Sequence, residues 1–326
     1  MLTRRPSLLV PAAAVAAAAL LASCSDSAPS SDAGTGAGGQ VSVVATTTIL
    51  GSITSDIVAC ADPDATVTTL MPVGSDPHDF SASSQQVAEI VSADLVVANG
   101  LGLEAGLTDT LANAQSDGAI VLSVGEQLDP IPFGQHASDH AEEVADEHST
   151  GSADPHVWFD MSRMATAAEL IGQQLATTGN EKFASCGTQV ADEIRATEKE
   201  VRATLESVPE DRRVLVTDHD ALGYLADAYG YRIVGAVIPA GTTLAEPSSA
   251  DMADLVAAIQ TEDVRAIFAN TANSPALSEA VATETGRDIA VVPLYIGSLG
   301  EPGSGADDYL SMMTTDANLI AQALNG

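Results

Sequence analysis

The chain has 326 residues, 45% of them apolar, which is enough for two domains with cores of their own and excludes a wholly disordered chain. Twelve basic residues stand against 45 acidic ones, a formal charge of −33, and this excludes nucleic acid as a partner because the phosphates would be repelled. Aromatic residues make up only 3%, so the cores must be built from Ala, Val, Leu and Ile.

At the start, Arg4 and Arg5 precede an apolar run from Leu8 to Leu21, too short for the ~20 residues of a membrane-spanning helix. The run closes on Leu21-Ala22-Ser23-Cys24, which resembles the lipobox of bacterial lipoproteins. Residues 1–23 therefore read as a lipoprotein signal peptide and Cys24 as the lipid anchor. A simple signal peptide cut elsewhere is the rival. Residues 24–40, rich in Gly, Ser, Ala and Asp, read as a flexible tether. The expected location is extracytoplasmic, at the cell membrane.

From residue 41 short β-rich runs alternate with helical ones. VSVVAT (41–46) reads as a strand, followed by a helix through Ile53 to Ala59. VTTLMP (67–72) is a second strand, 84–92 a helix, and DLVVANG (94–100) and AIVLSV (119–124) further strands. Residues 134–153 are polar, acidic and histidine-bearing, and read as a loop. Helical character resumes at Ser162, and 189–206 form a charged amphipathic stretch that reads as a solvated strut. The rhythm then restarts: RVLVTD (213–218), a helix at 221–229, RIVGAVI (232–238), a helix at 249–260, AIFAN (266–270), a helix at 276–285, IAVVPL (289–294) and a last helix at 307–324. This predicts an α/β fold of two βα lobes with parallel-rich sheets, 41–186 and 209–326, joined by one long helix at 187–208.

Cys60 and Cys186 remain once Cys24 is assigned. In an oxidising compartment a disulfide is the economical reading; two free buried thiols are the alternative. Of six histidines, His136, His140 and His148 lie in the acidic loop. They are either a weak zinc trap or bystanders on a surface insertion. The other three sit at element junctions: His78 in SDPHDF, His156 in DPHVWFD, and His219 after RVLVTD. Ligands in open α/β sheets bind at the carboxyl ends of strands, so these three imidazoles can converge on a crevice between the lobes. Neutral imidazole is the commonest zinc ligand. The competing view is three unrelated surface or capping histidines.

Three ordered segments, LMPVGSDPHDFSASSQQVAEIVSADLVVANGLGLE (70–104), DPHVWFD (154–160) and TDHDALGYLADAYG (217–230), resemble the cluster A-I solute-binding proteins of ABC importers, the ZnuA/TroA-like group. The tail LYIGSLGEPGSGADDYLSMM (294–313) is similar too, and the resemblance spans roughly residues 41 to 324. It implies two lobes with a divalent metal in the cleft between them, held by His78, His156 and His219. Histidine at the third position marks zinc-type members, whereas manganese-type members often carry glutamate there. The tail aspartate that many members supply as a fourth ligand falls here on Gly297. Water or a loop histidine is favoured for that corner, with Glu246, Glu301 and Asp220 as carboxylate candidates. The expected cargo is Zn2+ and the expected partners are an ABC permease and, through the lipid, the membrane; the chain is expected to be monomeric. A manganese-binding member is the alternative. A zinc hydrolase is the rival class, but the chain has no HExxH. A surface adhesin finds no repeat or aromatic patch to support it.

Overall fold

The computed structural model describes residues 41–134 and 152–326. Cys24 and the loop residues His136, His140 and His148 lie outside them. The first lobe runs β1 (Ser42–Ala45), α1 (Thr48–Ala61), β2 (Thr66–Thr69), α2 (Ser84–Ser92), β3 (Leu95–Ala98), α3 (Thr108–Ser116) and β4 (Val121–Ser123). Its sheet has the order β2-β1-β3-β4, and every pairing is parallel. Parallel strands covered by helices on both faces read as unbroken apolar runs. The central strand β3, LVVA, is accordingly buried throughout, while the edge strand β2, TVTT, is largely exposed.

Two helices follow, α4 (Met161–Ala176) and the long α5 (Lys182–Glu206). The second lobe then repeats the pattern with β5 (Val214–His219), α6 (Gly223–Tyr229), β6 (Arg232–Ile238), α7 (Ser249–Thr261), β7 (Ala266–Asn270), α8 (Ala276–Glu284), β8 (Ala290–Leu294) and α9 (Tyr309–Asn325). Its sheet order, β6-β5-β7-β8, is that of the first lobe, again all parallel. Each lobe thus has one topological switch point, between β1 and β3 and between β5 and β7, where a ligand site is expected.

The α/β class with two parallel sheets is what the sequence pattern predicts, with local differences. Helix α3 has no counterpart in that reading; its residues TDTLANAQS bury only Ala114 and leave no apolar stripe to detect. Helix α5 starts earlier than the expected charged stretch, at Lys182, whose N–H is capped by Asn180 Oδ1 at 3.1 Å. Nor is α5 a purely solvated strut, because Phe183, Val190, Ile194, Val201 and Leu205 are buried. His219 is the last residue of β5 rather than a residue beyond it.

One apolar core crosses from the first lobe (Val43, Ile53, Leu95) through α4 and α5 to Tyr224, Phe268 and Leu294 of the second. A smaller cluster covers the outer side of each lobe. At the edge of the shared core, α1 and α5 are joined by the Cys60–Cys186 disulfide, Cα–Cα 5.8 Å, with Cys186 buried and Cys60 exposed, and it closes a sequence separation of 126. A bridge over so long a loop removes about 4–5 kcal/mol of chain entropy from the unfolded state. Among the described residues no helix is long and apolar enough to cross a membrane.

Candidate metal centre

Each of the three junction histidines is delivered by a different kind of element. His78 lies on the long loop after β2. Asp76 Oδ1 accepts the His78 main-chain N–H at 3.0 Å, an Asx turn that the rigid Pro77 spans. His156 follows Asp154-Pro155 and opens a 3-10 turn over Val157–Phe159. Asp154 Oδ1 accepts both its main-chain N–H, at 2.9 Å, and its Nδ1–H, at 2.7 Å. His219 ends β5, and Asp218 Oδ1 accepts its main-chain N–H at 2.8 Å and its Nδ1–H at 2.9 Å. The other Asp218 oxygen accepts the N–H of Asn270 at 2.8 Å, so the carboxylate bridges the switch point between β5 and β7.

The rings converge. Centroid separations are 5.4 Å for His78–His156, 5.6 Å for His78–His219 and 5.3 Å for His156–His219. One nitrogen of each lies within 4.8 Å of the others, and His78 Nε2 stands 3.3 Å from His156 Nε2. All three residues are buried, at 5%, 1% and 1% exposure. Burial, and then the mutual repulsion of the rings, lowers the His78 pKa to about 3 against the opposing pull of Asp76. Burial and His219 push His156 below its ordinary value as well. The consequence is chemical: His78 and His156 stay neutral near pH 7, and in His156 and His219 a carboxylate bound to Nδ1–H leaves the Nε2 lone pair free. Such carboxylate–histidine pairs raise ligand basicity and fix ring orientation around a divalent metal.

Behind the site the DPHVWFD segment is held on every side. Asn99 Nδ2 donates to Pro155 O at 2.9 Å. Asn99 is itself oriented by Glu104, whose carboxylate accepts from Asn99 N at 2.7 Å, Gly100 N at 3.0 Å and Thr46 Oγ1 at 2.6 Å. Burial pushes the Glu104 pKa up, and these hydrogen bonds oppose the rise. From the second lobe, Tyr224 Oη donates to Asp154 O at 2.8 Å and Tyr309 Oη to Trp158 O at 2.8 Å. Trp158 Nε1 donates to Ile296 O at 2.9 Å.

Sequence reasoning picked out the three imidazoles but not Asp76, Asp154, Asp218, Asn99 or Glu104. The aspartates were detectable, since each lies one or two residues before its histidine. A Cβ at Gly297 would stand 2.9 Å from Pro77 Cδ and 3.3 Å from Asn270 Nδ2. Glycine here lets the tail loop pack directly on the loop that carries His78. Among the described residues, Asp220, Glu246 and Glu301 are not part of the histidine cluster.

Two parallel βα lobes over a shared core, with a buried cluster of three histidines that could hold a metal ion, define the class: a metal-binding, solute-binding protein. The family model for "Zinc-uptake complex component A periplasmic" (ZnuA) matches residues 43–323, and the chain belongs to that family, the solute-binding proteins of metal ABC importers. It is 29% identical over 285 residues to the "Zinc-binding protein TroA" of Treponema pallidum (strain Nichols), covering 85% of this chain and 87% of that protein. It is 28% identical over 299 residues to the "Manganese-binding lipoprotein MntA" of Bacillus subtilis (strain 168), covering 90% and 92%. The solved structure of the periplasmic zinc-binding protein TroA of Treponema pallidum superposes with a TM-score of 0.75 at 27% identity, covering 88% of this chain and 99% of that one.

Proposed function

We propose that the chain captures Zn2+ outside the cytoplasm with His78, His156 and His219 and passes it to the permease of an ABC importer. The observation that carries this reading is the buried cluster of three imidazoles with ligand nitrogens inside 4.8 Å of one another, two of them backed by carboxylates. An all-nitrogen set suits zinc better than manganese, which prefers oxygen. The manganese-binding MntA relative supports the manganese alternative; the third histidine weighs against it. Zinc accepts three protein ligands plus a fourth from water, which suits a chain with Gly297 at the tail position. His136, His140 or His148 is the other candidate for that corner. The protein catalyses no reaction: the metal is cargo, and there is no HExxH glutamate to serve as a general base.

In this reading Cys24 carries the lipid, residues 24–40 are the tether, and the protein works as a membrane-anchored monomer. The relatives named as lipoproteins support the anchor. Calorimetric titration of the metal-free protein tests the cargo. One tight Zn2+ per chain is expected, with Mn2+ much weaker and His219→Ala impaired. Unchanged zinc affinity in His219→Ala would remove the assignment.

A further inference from the structure

With all three histidines buried, no ion can enter or leave unless something opens. The loop between β6 and α7, residues 239–248 of the second lobe, contacts a residue near each of them. Ala240 O accepts the N–H of Asp220, the residue after His219, at 3.0 Å. Gly241 lies against the Phe133 ring, and a Cβ there would take the ring's place. That ring meets His156 edge-on at 6.3 Å. Thr243 Oγ1 donates to Asp76 Oδ2, and Asn273 Nδ2, from the segment after β7, donates to the same oxygen at 3.1 Å. The other oxygen of Asp76 holds the His78 main chain. Immediately outside these contacts lies an open cleft of about 520 Å³ whose walls include Asp79, Phe80, Leu244 and Ser274.

We infer that Thr243 and Asn273 form a latch on Asp76 that sets how fast metal leaves the site. This rests on the metal-capture reading above. One carboxylate ties the lobes together with Oδ2 and holds His78 with Oδ1. Parting the lobes therefore loosens a ligand in the same movement, and a latched His78 cannot swing away from the ion. Hydrogen bonds to a carboxylate are among the stronger ones in proteins, so losing one shortens the life of the closed form markedly. Thr243 and Asn273 are positioning residues: neither reaches the cluster, and both act through Asp76.

The test loads the full chain with one equivalent of Zn2+ and follows its release to an excess of a fluorescent zinc chelator. Thr243→Val keeps the shape and removes the donor. It is expected to keep one zinc per chain and to release it roughly tenfold faster or more. Thr243→Ser is expected to restore the slow rate, which a purely packing role for the methyl group would not produce. Asn273→Ala is expected to release zinc faster by a smaller factor, and gives a second reading should the threonine variant fold poorly. Wild-type release rates in both Thr243→Val and Asn273→Ala would overturn the latch while leaving zinc capture intact. A wild-type chain that takes up no zinc would instead remove the capture reading, and the latch with it.

Discussion

The two lobes share a strand order but present the cluster differently. In the first lobe His78 sits on a loop and is held through its main chain by Asp76. In the second, His219 ends a strand and its ring is held directly by Asp218. The contrast extends to the buried carboxylates behind each lobe. Glu104 is satisfied by Thr46, Asn99 and Gly100. Asp316 on α9 accepts from Tyr295 N at 3.1 Å, and its second oxygen has no hydrogen-bond partner among the described residues. Burial raises its pKa to about 7. The first lobe thus places His78 on a loop over a satisfied buried carboxylate, and the second places His219 at a strand end with a less satisfied carboxylate behind it.

The largest expected effect breaks the cluster itself. Structural zinc sites are worth roughly 10–16 kcal/mol over four ligands, so removing one imidazole weakens zinc by about two to three orders of magnitude. Calorimetry on His156→Ala and His219→Ala checks this. Next comes the buried acid of the second lobe. A carboxyl group raised to about 7 in the folded state favours folding at low pH, and that stability drains away as pH climbs from the unfolded value near 3.8 through 7. Asp316→Asn has no such loss, so at pH 8 it is expected to unfold later than the wild type by a few kcal/mol in urea, and to match it near pH 4. Equal pH profiles would show that Asp316 is better solvated than its burial implies.

A smaller effect separates the two ways of backing a histidine. Asp218→Asn disturbs the Nδ1 partner of a ligand, and second-shell changes of this kind cost about 10–100-fold in metal affinity. Asp76→Asn touches no histidine ring, only the His78 main chain and the Thr243 and Asn273 contacts, and is expected to weaken equilibrium zinc binding less. Competition with a chelator of known affinity ranks the two, and the reverse order would erase the distinction between the lobes. Cys60→Ser with Cys186→Ser is expected to lower thermal stability while leaving zinc stoichiometry at one, because the bridge ties α1 to α5 and includes none of the three histidines. Differential scanning calorimetry and a zinc titration read the two halves of that statement.

Much of this was legible along the chain. Strands β6 and β7 fall on RIVGAVI and AIFAN, where β-branched and apolar residues run unbroken. His78, His156 and His219 stand out because each ends or follows an extended run beside an aspartate. What escaped depends on contacts across the fold. Thr243 and Asp76 are 167 residues apart, and nothing local to either announces the other. Phe133 reads as one more apolar residue until Gly241 is seen against its ring. Helix α3, with one buried residue, has no periodicity to read.

Zinc capture as proposed requires three imidazoles to close around one ion. The most direct measurement is a crystal structure of the zinc-loaded protein with anomalous scattering recorded at the zinc edge. The prediction is a single zinc peak at about 2.0–2.1 Å from one nitrogen each of His78, His156 and His219. A zinc peak elsewhere, or one that leaves out any of the three histidines, would contradict it.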